Sequence, residues 1–244
     1  MYQRKFNLLL NTQVKRISRL GGETELEVQQ LEGVSTIRVD ALLIAAGRVP
    51  NTDRLEVAAT GVAVNERGFV QADEYLETNV PGIWALGDIL GRYLLKHSAN
   101  LEAGYAGYNL FNPERKVAVD YHGMPHAIFA SPQVGGVGLT EQAARDDGLP
   151  YVAALYDYRD TAYGSSIEDR DGFVKVLAHR ETAEILGCHI IGSEASILIQ
   201  EAANAMRQHL TLDAITDAIY VHPALSEVVR RAFGAAQQRR RAAR

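Results

Sequence analysis

Four places in the sequence carry groups that could do chemistry. Near the end, Val221-His222-Pro223-Ala224-Leu225-Ser226-Glu227 sets an imidazole before a proline, with a carboxylate five residues on. Proline disfavours the helical conformation for the residue before it and suits a first helical turn itself. His222 is therefore expected on an extended or turn segment at the mouth of a helix, with Glu227 one turn in. Those are the parts of a base and of the group that orients it. A capped helix start with an exposed, idle histidine accounts for the stretch equally well. At Gly47, which follows the apolar run Ala41 to Ala46, the backbone could approach a ligand closely, or simply turn. Asp88 closes Ile83-Trp84-Ala85-Leu86-Gly87-Asp88, a placement suited to ligand hydroxyls in the crevice of an open sheet. An aspartate capping the next turn would look the same. Cys188 is the single cysteine, so neither an internal disulfide nor a thiolate zinc cluster can form, and no metal site is expected.

The bulk composition bounds the setting of these groups. With 47% hydrophobic residues and a net charge of −5, the 244 residues have an ordinary soluble globular profile. No stretch approaches the roughly 18 apolar residues of a membrane span, and no signal-peptide pattern follows Met1, so a cytoplasmic chain without membrane association is expected. The acidic balance argues against bulk nucleic-acid binding. Arg239-Arg240-Arg241 with Arg244 forms a locally basic end, expected to be solvated and frayed.

The elements that must position these groups fall into two kinds. Gln13 to Ile17, Thr24 to Val28 and Ser35 to Val39 alternate apolar with polar residues, with Gly21-Gly22 and Gly33 between them, and predict short strands. Ala41 to Ala46 is continuously apolar, as expected of a strand buried on both faces. Arg48 to Asp53 is a polar turn. Gly68 to Gln71 and Ile83 to Leu86 predict two more short strands, and Leu94 to Leu110 a close-packed helix closed by Pro113. From about Arg115 a second unit is expected. Its predicted strands are Ala127–Phe129, Gln133–Gly138, Tyr151–Asp157, Gly172–Ala178 and Glu184–Gly192. Thr140 is expected to cap a short helix, and helices follow over Ala195–His209, Thr211–Ala218 and Ala224 to about Ala235. Strands followed by helices argue for an α+β fold, an antiparallel sheet covered on one face.

Three separated stretches occur in order: Leu42 to Asn51 (LLIAAGRVPN), Val80 to Asp88 (VPGIWALGD) with Leu94 to Ala99 (LLKHSA), and His222 to Glu227 (HPALSE). Together they resemble the pyridine nucleotide-disulfide oxidoreductases, the flavoprotein group of dihydrolipoamide dehydrogenase, glutathione reductase and mycothione reductase. LLKHSANLEA, DTAYGSSIED and YVHPALSEVV are most similar to mycothione reductase and dihydrolipoamide dehydrogenase; mercuric reductases rank lower. The resemblance implies that Gly47 approaches NAD(P) and that Asp88 bonds the ribityl chain of FAD. It also places Leu94, Leu95, Lys96 and His97 alongside the flavin. His222 would be the base handling the proton of a dithiol, Glu227 the carboxylate orienting it, and the His222–Pro223 peptide cis. It further implies a homodimer, whose base serves the partner's active site, and a low-molecular-weight or lipoyl disulfide as substrate.

The same resemblance makes its missing parts conspicuous. The family pattern has an FAD-binding Gly-x-Gly-x-x-Gly, a redox Cys-x4-Cys and a second Gly-x-Gly-x-x-Gly, and this sequence contains none of them. The implied organisation is a remnant of the NAD(P)-binding domain over 1–48, a segment of the FAD-binding domain over 49–115, a dimerisation domain over 116–235 and a basic tail over 236–244. Cys188, within the predicted strand Glu184–Gly192, is expected to be a small core residue. The expected function is the carboxyl-terminal part of a disulfide oxidoreductase, supplying the dimer interface and the His–Glu pair. A redox-inactive dimerisation module is the alternative. The isolated chain is expected to show neither flavin absorbance nor disulfide-dependent NAD(P)H oxidation.

Overall fold

The computed structural model describes residues 2–243, which divide into two compact units, Met1–Val49 and Pro50–Arg244. In the first unit the alternating segments form β1 (Gln13–Leu20), β2 (Glu23–Gln30) and β3 (Gly33–Val39), a three-stranded antiparallel meander in that order. Gly21 and Gly22 both have positive φ, which lets so short a connection reverse the chain. Leu26 on the central strand lies between Ile17 and Ile37, and Val28 between Val14 and Ser35. Thr24, Leu26 and Val28 are buried on that face, whereas Val14, Ile17 and Leu20 on β1 remain exposed.

The run Ala41 to Ala46 departs from expectation. It is no strand, and Leu43 is 89% and Ile44 71% exposed. An apolar run becomes a buried strand only where neighbours take its backbone hydrogen bonds and cover both faces. No strand of this unit pairs with it.

The second unit begins with irregular chain around a small core of Val57, Val62, Val70, Leu76, Leu90 and Ala106. The strands predicted over Gly68–Gln71 and Ile83–Leu86 are reduced to isolated bridges, Val64 with Val70 and Glu77 with Trp84. Residues 83–85 are half-buried and Leu86 is exposed, so this run is not the buried strand expected. Side chains replace ladder bonds here. Buried Asn109 donates to the carbonyls of Tyr75 (3.0 Å) and Val117 (2.9 Å) and accepts from the Val117 N–H (2.7 Å). Asn109 belongs to α1 (Lys96–Phe111), whose buried face carries Ser98, Glu102, Ala106 and Asn109 at helical spacing.

The remainder is the α+β arrangement expected from the sequence. Strands β4 (Pro125–Ile128), β5 (Gln133–Gly138), β6 (Tyr151–Asp157), β7 (Phe173–His179) and β8 (Ile185–Gly192) form one antiparallel sheet, ordered β4-β5-β8-β7-β6. Helices α2 (Glu141–Asp146), α3 (Ala162–Ser166), α4 (Ala195–Arg207), α5 (Leu212–Thr216) and α6 (Ser226–Ala242) complete it. Thr140 caps α2 as predicted, its hydroxyl accepting from the Ala143 N–H at 3.1 Å. Helix α4 packs on β5 and β8, and α6 on β6 and β7. At Gly135 a Cβ would meet the Ala195 carbonyl at 2.6 Å, so helix and sheet approach this closely only over glycine. Val174, Val176, Ile185, Ile190, Val228 and Phe233 are fully buried between these layers.

The basic stretch Arg239-Arg240-Arg241 is not frayed; Arg244 lies outside the described residues. Helix α6 runs through the stretch to Ala242. Arg239 donates to the Ala153 carbonyl (2.6 Å), and Arg240, only 8% exposed, donates to Gln237 (3.1 Å) and to the Glu181 carbonyl (3.2 Å). Carbonyls within reach of long guanidinium side chains convert a nominal tail into the last turns of a packed helix.

Candidate functional site

The His222 corner forms where α5 and α6 are joined. His222 precedes α6, the His222–Pro223 peptide is cis, and Glu227 lies in the helix's first turn. His222 Nδ1 stands 3.0 Å from each oxygen of the Glu227 carboxylate. Glu227 also accepts from the Ala224 N–H at 3.2 Å. A carboxylate only accepts, so Nδ1 carries the hydrogen and, in the neutral ring, Nε2 holds the lone pair. The side chains are 69% exposed for His222 and 16% for Glu227. His222 and the Ala224 N–H hold the Glu227 carboxyl below the usual carboxylate range. The corner is thus an oriented, solvent-facing imidazole backed by a carboxylate that stays ionised.

Asp88 and residues 94–97 form a second cluster around the start of α1. Asp88 lies exposed in a tight turn, Gly87–Leu90. That turn rests on α1: the Gly87 N–H donates to Glu102 at 2.5 Å, and a Cβ on Gly87 would meet the Ala99 side chain at 3.3 Å. Leu94 has φ of 56°, and Leu95 is the extended residue from which α1 starts. Lys96 bonds Asn100, and His97 Nε2 lies 2.7 Å from the Pro125 carbonyl. No side chain caps this helix start. Its first N–H groups therefore keep the partial positive charge of an uncapped helix end.

Gly47 belongs to the other unit. It has φ of 99°, and a Cβ there would have nothing within 4 Å. Its backbone is open to approach. Of the predicted site residues, hydrogen bonds join His222 to Glu227.

Two groups of residues escaped the sequence reading. Buried Glu102, besides holding Gly87, accepts from the Tyr121 hydroxyl at 2.8 Å, and Arg92 donates to the same hydroxyl at 3.0 Å. Burial, with Glu102 beside it, pushes Tyr121 up to about 12. A lone carboxylate at helical spacing with Ser98 and Ala106 was the available signal for Glu102. Glu201 on α4 accepts from the Tyr220 hydroxyl, and burial pushes its carboxyl up to about 7. No local pattern links residues so far apart in the chain. Cys188 is buried in β8 with its thiol pushed up by desolvation, a core residue as predicted.

Residues 1–103 match the pyridine nucleotide-disulphide oxidoreductase family, and residues 124–233 match the dimerisation domain of the same family. Mycothione reductase of Mycobacterium tuberculosis is 42% identical over 209 residues, covering 84% of this chain and 45% of that protein. Dihydrolipoyl dehydrogenase of Cupriavidus necator is 37% identical over 204 residues, covering 84% and 43%. Among solved structures, the HOCl-induced flavoprotein disulfide reductase RclA of Escherichia coli superimposes with a TM-score of 0.80 at 28% identity, over 93% of this chain and 51% of that one. The chain spans about half the length of the curated relatives it matches. No helix among the described residues is long and apolar enough to cross a membrane.

Proposed function

The chain belongs to the pyridine nucleotide-disulphide oxidoreductase family, and on that premise we propose that it is the carboxyl-terminal part of an FAD- and NAD(P)-dependent disulfide oxidoreductase of the mycothione reductase or dihydrolipoamide dehydrogenase type. The observation that carries this is the paired contact of His222 Nδ1 with both Glu227 oxygens, which leaves the exposed ring's Nε2 for proton exchange. In this role Nε2 takes the proton of a substrate dithiol, or returns it to a leaving thiolate. Glu227 stabilises the imidazolium that forms, and the Ala224 N–H keeps the carboxylate aimed.

The residues present fit the implied cofactors in part. Asp88 at its exposed turn would meet the hydroxyls of FAD, and the uncapped start of α1 at residues 94–97 would face an acceptor or partly negative edge of the flavin. The open backbone at Gly47 would lie along NAD(P). When bound, FAD supplies the relay of electrons between the nicotinamide nucleotide and a disulfide. The sequence holds one cysteine, buried in β8. A thiol pair and a flavin half-site must therefore come from outside these 244 residues. Two copies associating through residues 116–235 would make the homodimer that places His222 before such a pair.

Replacing His222 by Gln in the assembled flavoenzyme is expected to lower disulfide turnover by roughly 10²- to 10⁴-fold, the range for losing a general acid–base group. Undiminished turnover would remove the proposed role. The isolated chain is expected to be colourless and inactive toward disulfides; a yellow preparation that oxidises NAD(P)H with a disulfide would sink the partial-enzyme reading.

A further inference from the structure

The segment that carries His222 has almost nothing of its own to hold it. Among the described residues, no backbone N–H or carbonyl of residues 218–223 takes part in a backbone–backbone hydrogen bond. Ile219 and Val221 are exposed, as is the imidazole itself. Tyr220 is the exception. Its ring is half-buried and packs on the main core, as does Leu225 beyond the corner. Its hydroxyl donates to Glu201 on α4, and the Arg230 guanidinium of α6 lies 5.8 Å from its ring centroid. One side chain thus ties the loop to two helices. Two Cα–Cα steps of about 3.8 Å separate that tie from His222, too short a chain to absorb a shift of the tyrosine.

We infer that Tyr220, anchored by the Glu201 carboxylate, is a positioning residue for His222, fixing the entry of the loop so that the imidazole Nδ1 stays on Glu227. The inference matters for catalysis only through the acid–base role proposed above, but its geometry does not depend on that role. Core filling alone would be served by phenylalanine. The hydroxyl is explained by the acid it meets, since Glu201 sits in surroundings that disfavour its charge and Tyr220 offers it a hydrogen bond.

The test uses nitrogen-15 NMR of the histidine rings in the full 244-residue chain, with His222→Gln to assign the signal. Above the titration of the ring, the Nδ1–H tautomer is expected to dominate for His222. In Tyr220→Phe, and in Glu201→Ala, the ratio of Nδ1–H to Nε2–H should fall about tenfold, equivalent to ~1.4 kcal/mol. Glu201→Gln keeps an oxygen that accepts from the hydroxyl and should retain the wild-type spectrum. Unchanged His222 nitrogen shifts in Tyr220→Phe would overturn the inference, as would Glu201→Gln being disturbed as much as Glu201→Ala. Should Tyr220→Phe fail to fold, the two Glu201 variants decide between tether and bulk. Because these signals need no turnover, a negative result leaves the acid–base role standing, and an active His222→Gln enzyme leaves the tether standing.

Discussion

Two apolar runs of similar composition end in opposite surroundings. Leu42 to Ala46 is uncovered, with Leu43 and Ile44 among the most exposed apolar residues, whereas in β7 Val174, Val176, Leu177 and Ala178 are fully buried. The difference lies in their neighbours. Strand β7 is paired with β6 on one edge and β8 on the other and is covered by α6. Within the unit Met1–Val49, no strand pairs with residues 42–46. Hydrophobicity marks a segment that is stable when covered; it does not provide the cover.

Limited proteolysis offers the most direct way to break this comparison. Cleavage is expected within 41–49 before any bond in 125–192, because exposed extended chain opens without unfolding a core. Cutting in the opposite order would show that the uncovered run is protected. The sheet region should then show the largest single-residue loss: Phe233→Ala, fully buried on α6, is expected to cost about 3–5 kcal/mol in urea unfolding. Removing the α2 cap by Thr140→Ala should cost about 1 kcal/mol.

A pH comparison sharpens the contrast between the two carboxylates near the corner. Glu201 has its folded pKa raised to about 7 from an ordinary 4.5, so the folded protein keeps a proton that the unfolded chain has lost. Its contribution to stability therefore declines as pH rises through that window and is flat above it. Glu227 has the opposite sign: its lowered pKa contributes stability that is complete above 4.5 and is lost as pH falls through the folded value. Glu201→Gln should thus gain on wild type as pH rises from 4.5 to 7, whereas Glu227→Gln should lose on wild type as pH rises from below the folded value to 4.5 and hold level above it. Parallel unfolding curves at both ends would contradict this assignment. The smallest effect is expected at Leu43→Ser, within about 0.5 kcal/mol, since an exposed side chain has little burial to lose.

The dimerisation-type region was the most legible part of the sequence. β5 and β6 match their predicted ranges, and the other strands differ by a residue or two at their ends. Their patterns were readable because one face of each strand meets α4 or α6 and because turns punctuate them. Residues 50–95 were less legible. There Asn109, Glu102 and Arg92 satisfy backbone groups from a distance, and such substitutes leave no periodic trace. The end of α6 was misjudged for a related reason, since Arg239 and Arg240 read as solvated charge until carbonyls from β6 and the β7–β8 turn come within reach.

What the sequence by itself determined is the kind of chain this is. Local patterns set the α+β order, proline and spacing set a His–Glu corner, and a single cysteine excluded a redox pair within these residues. The tertiary structure decided which groups meet. It placed both Glu227 oxygens on His222 Nδ1, Tyr220 on Glu201, and the Asp88 turn on α1. Local pattern fixes what a residue can do within a turn or two, while contacts between helices and loops far apart in sequence exist only once packing has brought their backbones together.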